Sequence, residues 1–217
     1  MDVIKPYKFI PKDSIERIAT ELRQKVELGR KRRLSAESIA ETIADFLELN
    51  IMWESIPADN IGKIAAMIFP TKQMIIINSN VSEFEKNGFR QSTIAHEIGH
   101  WILHINQQAV EKYIDRDDSI TEIVKQPQLF LCRNIQQSQA PKIEWQAQYF
   151  AGCLLMPEYK LMDAQRGRDL TQWKHLYPMA EDLGVTISNL KVRLKDLGWI
   201  IVNDSTRQIY PGRNMPK

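Results

Sequence analysis

The sequence predicts an α+β fold: a small antiparallel sheet packed on helices, followed by a helical C-terminal segment of helix-turn-helix shape. Three observations predict it. Residues 12–49 repeat apolar positions at helical spacing, residues 51–78 switch to short runs rich in Ile, Met and Phe, and residues 88–105 return to the helical period. The chain divides into two regions. Residues 1–165 comprise a helical stretch over 1–50, a sheet over 51–80 and helices within 88–157, and residues 166–217 form a further helical segment.

The first helix, 12–28, carries Ile15, Ile18, Leu22 and Val26 on one face. A basic cluster, Arg30 to Arg33, follows it, and cations are favoured at the negative pole of a helix dipole. Ser35 caps a second helix, 36–49, with Ile39, Ile43, Phe46 and Leu47 turned inward. Residues 51–56, 62–69 and 73–78, punctuated by Pro and Gly, read as three antiparallel strands. The third leads into the helix 88–105.

Residues 107–142 are polar, rich in Gln and Asp, and read as a long loop with a short element near Thr121–Val124 or Leu129–Leu131. A helix at 142–155 ends at Met156-Pro157. Helices near 158–165, 171–183 and 186–197 follow, and then a hairpin of 199–203 and 207–210.

The bulk numbers suit an ordinary globular protein. Of 217 residues, 43% are hydrophobic and 26% charged, and the net charge is +2. Two lone cysteines, Cys132 and Cys153, suit a reducing compartment. No apolar run has the length of a signal peptide or a membrane span. A cytoplasmic protein with no membrane partner is the expectation. The charge is uneven: residues 1–33 balance to +5, 34–157 to −6 and 158–217 to +3. An acidic middle is compatible with a cation site.

The chemistry centres on His96-Glu97-Ile98-Gly99-His100. Histidines four apart on a helix project from one face, about 6 Å apart along the axis. They supply two of the nitrogens that zinc binds at about 2.0–2.1 Å. Glu97 lies one residue round from the first ligand, placed to take a proton from a water beside the metal as that water attacks a carbonyl. Two structural histidines on a helix face are the plainer alternative. The surrounding amphipathic helix and the preceding strand, which can pair with an extended peptide, favour the metal.

A catalytic zinc needs a third protein ligand. His104 lies about 12 Å along the axis from His96, too far to share one ion. It is expected beside the ligands or in packing. The candidates are therefore carboxylates: Glu111, Glu122, Glu144 and the run Asp115, Asp117, Asp118. Glu144 is favoured because Ala147, Ala151 and Leu155 share its side of a helix and allow close approach to the motif helix. Glu122 is the rival. Tyr149, His175 and Tyr177 are candidates for stabilising a transition state. Cys153 reads as buried and inert, with a redox or metal role left open.

These residues resemble a family. Ile75-Ile76-Ile77-Asn78, then Thr93-Ile94-Ala95-His96-Glu97-Ile98-Gly99-His100 with His104 following, then Glu144-Trp145-Gln146-Ala147-Gln148-Tyr149-Phe150-Ala151 running into Leu154-Leu155-Met156-Pro157, resemble the ImmA/IrrE zinc metallopeptidases. The resemblance covers about 60 to 200. It implies a zincin-like metallopeptidase core, one Zn2+ per chain, and Glu144 as the third ligand. Gln148 stands where the family usually has Asn, and the segment between the two motifs is longer than usual. Family members often cleave a helix-turn-helix repressor, so such a protein is the implied substrate.

Residues 179–194 have helix-turn-helix shape, with Gly184 at the turn and Thr186 or Ser188 as cap. If this segment binds DNA, Lys191, Arg193 and Lys195 are the candidates for phosphate contacts. Otherwise it is a substructure packed on the core. Two alternatives to a peptidase stay open: a DNA-binding transcriptional regulator, or a metal-sensing interaction module, with a structural or vestigial zinc site.

Overall fold

The computed structural model describes residues 3–29, 35–58, 62–85, 87–114, 130–133 and 142–216. Helix α1 spans Lys12–Leu28. A 3-10 turn at Ala36–Ser38 precedes α2, Ile39–Phe46, and Ser35 caps that turn by accepting from the Glu37 amide. The second helix is shorter than its period suggested. Ile39 and Ile43 are buried and Leu47 partly so, but Phe46 is exposed beneath the Lys25 ammonium.

Strands β1 (Asn50–Glu54), β2 (Ile64–Phe69), β3 (Met74–Asn78) and β4 (Phe130–Arg133) form one sheet in the order β1-β3-β2-β4. This sheet is mixed rather than antiparallel. The tight turn Pro70–Lys72 folds β3 back antiparallel on β2. β3 thereby enters between β2 and β1, and it runs parallel to β1 with Ile51 opposite Ile75. Alternation then splits the sheet's faces. Ile68, Ile75 and Ile77 join the main core, while Ile76 lies with Ile56 and Ile64 in a small second cluster. The buried Asn78 side chain ends β3 by bonding the Ile56 amide and carbonyl and the Ile64 carbonyl.

The motif helix α3 covers Asn87–Leu103. Some of the expected loop is a helix, α4, Gln107–Ile114, whose Ala109 and Val110 are buried. Those two are its buried residues, and its Gln, Glu and Lys are good helix formers that leave little apolar pattern to read. β4 lies where a short element was expected at Leu129–Leu131, whereas 121–124 falls outside the described residues.

Helix α5, Lys142–Leu155, packs on α3, α1 and α8. Then come α6 (Glu158–Ala164), α7 (Trp173–Asp182), α8 (Ile187–Asp196) and the hairpin β5 (Ile200–Asn203) with β6 (Gln208–Pro211). Gly184 turns the chain between α7 and α8 at φ +66°, with Thr186 capping α8. A Cβ at Gly184 would lie 2.3 Å from the Ala36 carbonyl oxygen, so only glycine fits both the conformation and the space. One continuous core runs from Ile15 and Ile43 through Ile94, Phe150 and Leu154 to Leu176, Leu194 and Trp199. Among the described residues no helix is long and apolar enough to cross a membrane.

Candidate metal centre

The centre is made by α3 and α5 crossing at close range. A Cβ at Gly99 would sit 2.9 Å from the Ala147 carbonyl oxygen and 3.0 Å from its Cα. Glycine on one helix opposite alanine on the other lets the backbones touch. The short reach from α5 to the two histidines follows from that contact.

His96 and His100 project from one face of α3, and Glu144 in the first turn of α5 faces them. Their Nε2 atoms are 3.0 Å apart. Glu144 Oε2 is 3.1 Å from His96 Nε2, and its Oε1 is 3.4 Å from His100 Nε2. An ion with tetrahedral bonds of about 2.0–2.1 Å has ligand atoms about 3.3 Å apart. Three atoms that each offer a lone pair thus converge at the spacing a small cation requires. Such crowding of acceptors is costly without a cation to share.

The electrostatics agree with the geometry. Burial holds His100 down at about 4, so its ring is neutral at pH 7 and its lone pair is available. Burial raises Glu144, but its close contacts with His100 and His96 outweigh that and hold the carboxyl well below its usual range. Glu97 is different. It is fully buried, and both its oxygens lack a hydrogen-bond partner among the described residues. Burial, then the Glu144 carboxylate, push it well above the usual carboxylate range. Buried carboxylates normally have partners.

His104 lies one turn beyond His100, with its Nδ1 3.1 Å from His100 Nδ1. Its Nε2 meets Gln146 Oε1 at 3.0 Å. Gln146, wholly buried, was not singled out from the sequence: only the contact itself distinguishes it from any other Gln on a helix.

The other candidates lie elsewhere. Glu111 is exposed on α4, and Asp115, Asp117, Asp118 and Glu122 fall outside the described residues. Tyr149 is not brought to the triad. It stacks on Trp145 and lies beneath Lys12 and Arg193, toward α1 and α8. His175 is not brought there either: its Nδ1 accepts from the Asp169 amide. Tyr177 is 45% exposed on α7 near Trp173.

The reading of Arg193 as a phosphate contact is corrected. It is 2% exposed, and it donates to the Met156 carbonyl and to Glu16. Arg23 of α1 likewise donates to the Leu154 carbonyl. Two buried cations therefore close the C-terminal end of α5, where the helix dipole favours them. Lys191 and Lys195 both reach Asp204 at the tip of the hairpin. The first turn of α8, the end that enters a groove in DNA-binding proteins of this shape, is held on α3 through Asn189 and Ser92. Cys153 is buried beside Glu16, and burial pushes its thiol up, so it stays protonated.

A mixed sheet backed by helices, with two histidines and a carboxylate converging from crossed helices beside a glutamate that has no hydrogen-bond partner among the described residues, defines an α+β fold with a potential metal centre. The model of the IrrE N-terminal-like domain, peptidase M78, matches residues 49–195, well over half of the sequence, and the chain belongs to that family, the ImmA/IrrE family. Among solved structures it is similar to a Mycobacterium tuberculosis transcriptional regulator, with a TM-score of 0.54 and 14% identity. That likeness covers 94% of this chain and 56% of the other, so the chain spans little more than half the length of its neighbour. At this identity it shows the fold. No match was found among curated proteins.

Proposed function

We propose that this chain is a zinc-dependent endopeptidase acting on a protein substrate. The observation that carries the reading is Glu97, a buried carboxyl with no hydrogen-bond partner among the described residues, set next to three converging donor atoms. Two imidazoles and one carboxylate form a donor set that suits zinc and leaves a fourth position for water or substrate.

When bound, the ion supplies Lewis acidity that makes a water acidic and polarises a scissile carbonyl. His96, His100 and Glu144 hold it. Glu97 takes the proton from the attacking water and delivers it to the leaving nitrogen. Its raised proton affinity, produced by burial and by Glu144, suits a group that must keep that proton between the two steps. β4 is an outer strand of the sheet and packs near α3. β3, the strand expected to pair with an extended peptide, is bonded on both sides by β1 and β2, so the edge backbone groups near α3 open to an extended substrate are those of β4.

A helix-turn-helix repressor is the substrate class that the resemblance to the ImmA/IrrE peptidases implies. The similar M. tuberculosis protein is described as a transcriptional regulator, which agrees with a role in gene control. Cleavage would take place in the cytoplasm, where such repressors act.

The test uses zinc-loaded protein incubated with helix-turn-helix repressors from the same genome, read by mass spectrometry. Wild type cuts one of them at a defined bond. Glu97→Gln keeps its zinc and cuts about 10²–10⁴-fold more slowly. A variant that cuts as fast as wild type removes Glu97 from the mechanism.

A further inference from the structure

His100 does not end the hydrogen bonding that begins at the metal centre. His100 Nδ1 is 3.1 Å from His104 Nδ1, and His104 Nε2 is 3.0 Å from Gln146 Oε1. Gln146 Nε2 in turn donates at 3.1 Å to the backbone carbonyl of Lys8. His100, His104 and Gln146 are buried. Lys8 belongs to the extended segment 3–10, which lies across the C-terminal end of α3. That segment is fixed by an isolated bridge between Ile4 and Ile105 and by backbone bonds from Lys5 to His104 and from Asn106 to Val3.

The direction of every link follows from one fact. A carbonyl oxygen only accepts. Gln146 therefore turns its NH2 toward Lys8 and its Oε1 toward His104. An amide oxygen only accepts, so His104 carries its proton on Nε2. The other nitrogen of a neutral imidazole is bare, and His104 Nδ1 accepts. His100 must then carry its proton on Nδ1, which leaves its Nε2 bare. That is the nitrogen facing His96 and Glu144.

We propose that Gln146, anchored by the Lys8 carbonyl, is a positioning residue that selects through His104 the tautomer of His100 able to ligate the metal. The inference rests on the proposed metal centre and extends it to the N-terminal segment. It also explains a polar residue buried at position 146 between Trp145 and Ala147. Without the relay, His100 divides between two tautomers and its ring is free to turn. Groups that orient a metal-bound histidine typically account for 10–100-fold in metal affinity. His96 has no such support: its Nδ1 lacks a hydrogen-bond partner among the described residues. The two histidines are thus unequal ligands, one oriented by the protein and the other by the metal.

The test reads tautomers and metal affinity in the full chain. Long-range 1H–15N correlation spectra of metal-free wild type should show His104 protonated on Nε2 and His100 on Nδ1. Zinc affinity is then measured by competition with a chelator. Gln146→Leu removes the acceptor and should weaken zinc about 10–100-fold and mix the His104 tautomers. Gln146→Glu keeps an oxygen for His104 but sets its second oxygen against the Lys8 carbonyl, so it should hold the tautomer better than Gln146→Leu while losing the anchor and part of the affinity. Thermal unfolding of the metal-free variants identifies any that fail to fold. His104 protonated on Nδ1 in the wild type would overturn the proposal. So would a folded Gln146→Leu that binds zinc as tightly as wild type. If wild type binds no zinc, the peptidase reading fails, and the tautomer spectrum still decides the relay.

Discussion

The two sides of α5 bury polar groups in opposite ways. Toward α3, the carboxyl of Glu97 is wholly buried with neither oxygen bonded among the described residues, and the Glu144 carboxylate close by raises its proton affinity further. Toward α1 and α8, Arg193 is equally buried, but Glu16 neutralises it, the Met156 carbonyl takes its Nε, and the Tyr149 ring lies against it. Cys153 completes that cluster through Glu16. Both sides lie on one helix of 14 residues. On one side every charge finds its opposite and the result is a clamp. On the other the Glu144 carboxylate pushes the buried Glu97 carboxyl toward its neutral form, and Glu97 has no hydrogen-bond partner among the described residues. Burial alone does not mark a functional group; burial without a partner does.

Removing Glu144 is the strongest way to separate the two sides. Glu144→Ala should lose zinc by more than the roughly 100-fold of an outer-shell change, while leaving the fold of the metal-free protein intact. Elemental analysis after zinc incubation and desalting, beside circular dichroism, checks both. Retained stoichiometric zinc would remove Glu144 from the ligand set.

Glu16→Ala attacks the other side. It leaves Arg193 buried without its partner, a change that typically costs about 3–5 kcal/mol. Urea denaturation of the metal-free protein should show a loss of that order, with zinc stoichiometry unchanged in the fraction that stays folded. A loss under about 1 kcal/mol, the scale of an exposed pair, would mean that the cluster is no clamp.

The smallest effect is in pH. His100 is lowered to about 4 in the folded protein, so it contributes stability present above its unfolded value near 6.5 and lost as pH falls toward 4. Glu97 is raised, so its contribution has the opposite sign: present below the unfolded value of 4.5 and lost as pH rises through the folded one. In metal-free wild type the two partly cancel. In Glu97→Gln that opposing contribution is gone, while those of His100, His104 and Glu144, all lowered, remain. That variant should be more stable than wild type at pH 7, and the gap should close on acidification toward pH 4. A gap independent of pH would show that the Glu97 carboxyl is not held above its unfolded value.

Much of the site was legible because it is local. Two histidines four apart and a glutamate between them declare a shared helix face, and Glu144 declares itself by the alanines that follow it. The amphipathic helices were legible for the same reason. What the sequence hid was set by long-range contact. β1 reads as any short apolar strand; its parallel pairing is decided by β3 entering between it and β2. Arg193 sits between Lys191 and Lys195 on α8, and only the folded chain shows it closing the end of α5. Gln146 is joined to Lys8 across 138 positions. Its polarity is uninformative until both neighbours are known.

The same clamp has a kinetic side. Glu16 and Arg193 are 177 residues apart, and Lys12 and Asp196, joined by an ion pair, are 184 apart. Contacts so distant close very long loops, and the entropy of closure makes them slow to form. Every donor atom of the triad precedes residue 145, so the whole triad is synthesised before the helix that clasps α5. At about 5–20 residues per second, Arg193 follows Glu144 by roughly 2–10 s. During that interval Glu144 rides on a helix that α8 has not yet secured. Zinc uptake in a refolding experiment should therefore lag behind helix formation and keep pace with the docking of α8.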